Sequence, residues 1–343
     1  MKFATLLIIV LSHQGYWIAG QPATIALRPA VKGQLAGATL SWELKFDGVR
    51  LGAGKGAIAG GDKPTEIGLV APEARVRIAL NWHYRLLARD GTTELETGDV
   101  PISVFPNDLL DDLASRVGPS RLIVWDEPGG LPKLLDAAKV PYSRVSGPGQ
   151  LQIASADVVL VGQKMLNASP FEQSPLLNLA QSGVSVMIFQ QDGPEHLIGY
   201  PLARRLVPSA LDWRTDHPLL IGLDADDLRS WLATVPRLGA AQLPLDEPTL
   251  VIAGYPPEVA GEQPAPIDAV MLTKSVGKGR IVLCQIPLGD WSTDPRSQIL
   301  LANAIDYLLT RPQPTPRPSE RRATRTTQTK MIPNYQILQG GNP

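Results

Sequence analysis

Residues 121–138 read RLIVWDEPGGLPKLLDAA, and this stretch decides the fold of the larger part of the chain. A compact apolar run, residues 121–125, gives way to a polar turn with Gly129 and Gly130, and then to a helical pattern over residues 131–138. The same grammar recurs downstream. Residues 142–145, 157–161 (DVVLV), 184–189 (VSVMIF) and 280–286 read as further strands. Residues 174–181, ended by Gly183, and 295–309 read as helices. Short, continuous apolar strands alternating with helices predict a parallel sheet covered on both faces. Gly277-Lys278-Gly279 before Arg280 marks a hairpin, so one pair in the sheet is expected to be antiparallel.

Upstream the pattern is different. Residues 38–46 (ATLSWELKF) alternate, and Asp47-Gly48 is a hairpin signal. Alternating runs follow at 65–70, 74–80 and 84–88, with Asp90-Gly91 as another turn and 100–105 as a last strand. Strands with turns every 8–12 residues predict an antiparallel, Ig-like β-sandwich without the Cys–Trp–Cys pattern. The run Gly52-Ala53-Gly54-Lys55-Gly56 lacks both the Ser or Thr and the following helix of a phosphate loop, and reads as a flexible strand connection.

Composition agrees with this division and excludes several classes. Gly 31 and Pro 32 make 63 of 343 residues, against about 12% in an average chain, which disfavours a helical bundle. One cysteine and four histidines exclude a disulfide framework and leave little for a metal centre. No cofactor and no metal are expected. The net charge of −1 conceals an asymmetry: beyond residue 310 there are six basic residues and one acid, so the remainder carries 26 basic and 32 acidic residues. An acidic body argues against nucleic acid as a partner. Five segments are therefore expected. Residues 1–21 read as a signal peptide, from Lys2 and the apolar run 3–11, implying an exported chain. Residues 22–106 form the sandwich, 107–118 a linker helix, 119–310 the α/β domain, and 311–343 a disordered Pro/Arg/Thr-rich tail. Asn167-Ala-Ser169 is a formal glycosylation sequon, followed by Pro170.

In an open α/β sheet, ligands bind beyond the carboxyl ends of the strands. The residues expected there are Asp126, Glu127, Gln163, Gln190 and Gln191, with His196 or His217 within approach. They are polar and amide-rich but hold no nucleophile. Gln190 and Gln191 occupy the strand-to-helix turn where an elbow needs Cys or Ser between glycines. Cys284 lies inside an apolar strand and reads as a core residue, and the run 224–227 reads as an acidic helix start. Trp42 shares a face with Leu40 and Leu44 and reads as core, while Trp82 is a candidate sugar-stacking ring. No catalytic residue is assigned.

Two segments carry a family resemblance. Asp216-His-Pro-Leu-Leu-Ile-Gly-Leu-Asp224 with Asp227-Leu-Arg-Ser-Trp231 is one, and Gly277-Lys-Gly-Arg-Ile-Val-Leu-Cys-Gln285 with Asn303 and Tyr307-Leu308 is the other. Over roughly residues 25–310 the chain resembles the C-terminal, non-barrel region of bacterial glycoside hydrolase family 2 proteins of the β-galactosidase type. That resemblance implies an Ig-like sandwich followed by an α/β three-layer domain of the class I glutamine amidotransferase or flavodoxin-like kind. It departs from the family in having no room for the catalytic barrel and no Cys–His–Glu triad. The expected function is a non-catalytic accessory module of carbohydrate processing, whose partner is a carbohydrate or a glycoside hydrolase chain. An active hydrolase or amidotransferase-like enzyme, using the carboxylate and amide pocket, remains the alternative. A homo-oligomer is left open.

Overall fold

The computed structural model describes residues 7–11, 15–29, 35, 37–58, 64–127, 130–151, 155–166, 170–207, 211–232, 235–244, 249–256, 266–288 and 291–310. The chain divides between Thr310 and Arg311. The expected disordered tail, 311–343, and the Asn167 sequon lie outside the described residues.

The described chain is mostly β-sheet. The first region holds β1 (Leu7–Leu11), β2 (Tyr16–Ile18), β3 (Pro22–Pro29), β4 (Thr39–Phe46), β5 (Val49–Ala57), β6 (Thr65–Val70), β7 (Ile78–Leu87) and β8 (Glu94–Phe105). They form a three-stranded sheet ordered β1-β3-β6 and a five-stranded sheet ordered β2-β8-β7-β4-β5. All pairs are antiparallel except β2 with β8. Alternation builds the shared core. Leu80, Trp82, Tyr84 and Leu86 of β7 point inward while Asn81 and Arg85 point out, and Ile25 and Leu27 of β3 join the same core. The runs 74–80 and 84–88 are thus largely one strand, because Trp82-His83-Tyr84 keeps the period of two across the gap between them.

Two further expectations change here. The glycine-rich run is not a connection but part of β5, which pairs with β4 after an Asp47-Gly48 turn with φ of 46° and 78°. A Cβ at Gly54 would lie 2.7 Å from the Trp42 ring, so the glycine lets that ring, which is only half-buried, lie against the strand. The second change concerns the N-terminus. Trp17 and Ala19, placed in the expected signal segment, are fully buried in the first region's core, and β1 pairs with β3. The fold therefore begins before residue 22.

The second region contains β9 (Leu122–Trp125), β10 (Ser143–Arg144), β11 (Val158–Val161), β12 (Ser185–Ile188), β13 (His196–Leu197), β14 (Tyr200–Leu206), β15 (Asp212–Trp213), β16 (Arg237–Leu243), β17 (Leu250–Gly254), β18 (Ile267–Val276) and β19 (Gly279–Cys284). Its helices are α1 (Leu113–Val117), α2 (Gly130–Ala137), α3 (Pro148–Leu151), α4 (Pro170–Ser182), α5 (Ala225–Leu232) and α6 (Pro295–Leu309). One 11-stranded sheet runs β10-β9-β11-β12-β19-β18-β16-β14-β13, with β17 beside β18 and β15 beside β17.

The first five strands of that path are mutually parallel. Their continuous apolar sequence follows from burial on both faces. Leu122, Val124, Val158, Leu160, Met187, Val282 and Cys284 face one core, shared with α1, α2, α5 and α6. Ile123, Trp125, Val159, Val161, Val186, Ile188, Ile281 and Leu283 face the other, under α3 and α4. The expected hairpin joins β18 to β19 antiparallel.

The remaining strands are antiparallel and were not foreseen as an extension of the sheet. β18 pairs with β17 along one edge, whereas its other edge takes β19 over 271–276 and β16 over 267–269. The sheet forks there. Beyond the fork, β14-β16-β18-β17-β15 curl into a half-barrel.

The two regions are locked together. The Arg77 guanidinium donates to both Asp227 carboxylate oxygens, at 2.7 and 2.8 Å, and stacks 4.7 Å over the Phe105 ring. The Asp224 and Asp227 carboxylates in turn accept from each other's backbone N–H groups, a reciprocal cap at the start of α5. Tyr16 completes the junction, with the Arg296 guanidinium 3.9 Å from its ring.

Candidate functional site

In the parallel half the strand order reverses between β9 and β11, because β10 lies on one side of β9 and β11 on the other. That reversal is where such sheets place ligands. Asp126 follows β9, and Gly162 with Gln163 follow β11, so these expected residues sit at neighbouring strand ends.

Their polar groups, however, turn inward. Asp126 is 4% exposed, and its Oδ2 accepts from the Leu131 N–H at the start of α2, 2.8 Å away. A Cβ at Gly162 would collide with the Asp126 carboxylate, which is why that strand end is glycine. Gln163 donates to the Leu288 carbonyl at 2.9 Å. Gln191, 1% exposed, accepts from Leu166 N–H at 2.8 Å and donates to the Gly162 and Phe189 carbonyls at 2.8 and 2.6 Å. Its own N–H donates to Gln285 Oε1 at 3.1 Å. Gln285 stands at the fork of the sheet, and its Nε2 is buried without a partner. These amides fasten strand ends that cannot pair with one another.

The other candidates are dispersed. Glu127 is exposed, its N–H resting on Met165 Sδ at 3.3 Å. Gln190 is half-buried and reaches Asp192 Oδ1 at 3.4 Å. No helix follows β12, so Gln190 and Gln191 do not occupy an elbow. His196 is exposed on β13, and its backbone carbonyl, not its ring, accepts from Gln173. Trp82 is fully buried and stacked on Tyr84 at 5.3 Å, so it presents no face to a sugar. His217, read as a turn residue, is buried edge-on to Tyr307 at 5.0 Å. Its Nδ1 accepts from Leu219 N–H at 3.3 Å, and burial, helped by Arg214, pushes its pKa down to about 4. Cys284 is buried, and burial pushes the thiol up to about 12. Among the described residues no group of three or more His, Cys, Asp or Glu side chains could hold a metal ion.

An open cleft occurs instead in the half-barrel. Its volume is about 1230 Å³. β14 and β15 form opposite walls, although three strands separate them in the sheet. Two links hold the curl: the Tyr255 hydroxyl donates to the Leu206 carbonyl at 3.0 Å, and Arg205 pairs with Asp268 at 2.8 Å. Arg204, Arg214 and Arg237 line the cleft with Trp213. The Arg204 guanidinium donates to the Asp192 carbonyl at 2.5 Å, and Arg237 is exposed. Asp268 Oδ1 is buried without a partner. Burial pushes the Tyr255 hydroxyl up to about 12. Sequence reading missed this cleft, since its residues come from five short strands whose adjacency no local pattern encodes. The one local signal was the adjacent cation pair Arg204-Arg205.

No protein-family model matches the chain, and no curated protein is similar to it in sequence. Solved structures similar to it include a ThuA-like protein and a glycosidase, both at low identity. The ThuA-like protein, from Parabacteroides merdae, is 11% identical, with 58% of this chain and 94% of that one covered and a TM-score of 0.32. An FMN-binding beta-glucuronidase from Facaelibacterium prausnitzii is 12% identical, over 54% of this chain and 27% of that one, with a TM-score of 0.22. Cwp6 from Clostridium difficile is 9% identical over 54% and 37%, with a TM-score of 0.22.

Proposed function

We propose that the chain is a non-catalytic, exported accessory module of carbohydrate processing, acting by glycan binding or by assembly with a glycoside hydrolase. The observation that carries this reading is the internally bonded rim at the strand-order reversal. There Asp126, Gln163 and Gln191 bond to the protein itself. A general acid or base must be within reach of a substrate proton, and these groups face backbone. The finer fold reading belongs with the proposal: an Ig-like β-sandwich, then an α/β three-layer domain of the amidotransferase or flavodoxin-like kind. The order β10-β9-β11-β12-β19 supports the second part, being 2-1-3-4-5 in sequence order.

The test is a glycan-binding screen of the purified chain beside an assay on chromogenic glycosides. Binding without turnover is expected. Glycoside hydrolysis that disappears in Glu127→Gln overturns the reading in favour of an enzyme. Export is checked by sequencing the N-terminus of the secreted protein. A chain that keeps Trp17 is expected, because that ring is part of the core.

A further inference from the structure

We infer that the half-barrel cleft binds an acidic saccharide, one bearing carboxylate or sulfate groups; this deepens the glycan-binding reading and rests on it. The volume comes first. At about 1230 Å³ the cleft exceeds the ~300–1,000 Å³ of ordinary small-molecule pockets, which suits an oligomer over a single ring. The lining comes second. Among the described residues every cation lining it is an arginine, and the planar guanidinium fork matches carboxylate and sulfate oxygens in pairs. Among the described residues four arginines (Arg204, Arg205, Arg214 and Arg237) and three aspartates line it, on a body in which acids outnumber bases by six. Arg204 bonds to the Asp192 carbonyl, Arg205 to Asp268, and Arg214 lies 3.9 Å from Asp216, while Arg237 is exposed. The local excess of positive charge thus opposes the trend of the molecule.

The aspartates decide the class of anion. A deoxyribose-phosphate backbone offers acceptors and no donors between its anionic groups, so it would leave Asp212, Asp216 and Asp268 facing like charge. A saccharide offers hydroxyl donors between its anionic groups and uses both kinds of side chain. Asp268 Oδ1 is the specific case: it is buried beneath Arg205 with no donor, and a buried acceptor in that state gains from any donor that reaches it. Arg205 keeps 43% of its side chain exposed, so its remaining N–H groups can reach a ligand anion while it stays paired with one Asp268 oxygen and a ligand hydroxyl donates to the other, Oδ1. Trp213 and Tyr255 supply ring faces and edges for the apolar side of a pyranose.

The experiment titrates the full chain with a galacturonate hexamer, a chondroitin sulfate hexamer and neutral cellohexaose, following intrinsic tryptophan fluorescence and calorimetric heat. At least one acidic hexamer is expected to bind about tenfold or more tighter than the neutral one. Arg237→Gln and Trp213→Ala should each weaken it about fivefold or more, and the exposed Arg237→Gln variant should melt as wild type does. The two acidic arms tell carboxylate from sulfate. Equal binding of all three sugars overturns the acidic inference and leaves glycan binding standing. Absence of any binding sinks both. Acidic binding untouched by either substitution places the site elsewhere and overturns the assignment to the cleft. Inorganic sulfate competing at the same concentration as the hexamer reduces the site to a simple anion site and also overturns it.

Discussion

The two halves of the large sheet use polar side chains in opposite ways. In the parallel half, the strand ends at the order reversal carry Asp126, Gln163 and Gln191, and each of them bonds to backbone. In the antiparallel half, Arg204, Trp213, Arg214 and Arg237 line an open cleft, and much of their hydrogen-bonding capacity faces solvent. The same sheet thus contains a place that topology nominates and whose amides and Asp126 bond to backbone, and a place that topology does not announce and is open. Position in a fold nominates a site; the direction in which its polar groups face says what they are free to bind.

Substitutions should separate the halves, with rim changes moving stability and cleft changes moving binding. The largest effect is expected for Gln191→Leu, which strips partners from Leu166 N–H and from the Gly162 and Phe189 carbonyls. Chemical denaturation should show a loss of about 4 kcal/mol, since each orphaned group costs ~1–3 kcal/mol. A loss under about 1 kcal/mol would mean the rim is not held by this amide and the comparison breaks.

Next in size is the response to acid behind the cleft wall. His217 is buried beside Thr215 and Asp216, which line the cleft, and its surroundings include Arg214, Arg280 and the Tyr307 ring. Its folded pKa of about 4 lies below the unfolded value of ~6.5, so the unfolded state binds the proton more readily between those pH values. The stabilisation is present above pH ~6.5 and is lost as pH falls towards about 4, by roughly 3 kcal/mol in all. A His217→Gln variant should show a flatter stability profile across that window, measured by denaturation at a series of pH values. An unchanged slope would remove His217 as its source.

Gly162→Ala should cost about 1–3 kcal/mol, because the added methyl meets the Asp126 carboxylate. If it melts like wild type, the rim has slack that the hydrogen bonds do not reveal. The smallest stability effect, within about 0.5 kcal/mol, is expected for Arg237→Gln on the cleft. A larger destabilisation there would make the cleft arginines structural and erase the contrast with the rim.

Legibility from sequence followed the range of the interaction. The strands at 121–125, 157–161, 184–189 and 280–286 were readable because continuous apolar runs report burial on both faces, whatever lies beside them. The turn at Asp47-Gly48 was readable because positive φ restricts residue choice locally. Trp82 was misread as a candidate surface ring, since an aromatic looks alike in sequence whether its face is wet or stacked on Tyr84. Residues 200–276 hid their role in the same sheet for a related reason. Half-exposed antiparallel strands, such as YPLARRL with its buried Tyr200 and exposed Arg204 and Arg205, carry too weak a pattern to be placed without their neighbours.

Sequence by itself determined the change of architecture near residue 107, the covered parallel sheet and the cationic tail composition. Those are properties of residue type and spacing along the chain. Only the tertiary structure decided that Asp126 and Gln191 face inward, that β18 forks the sheet, and that Arg205, Trp213, Arg237 and Asp268 meet around one cleft. The fork, the cleft and the Gln191 bonds to Leu166 and Gly162 depend on pairings between residues distant in sequence, and even the short-range Asp126–Leu131 bond needs the turn that the packed strands impose.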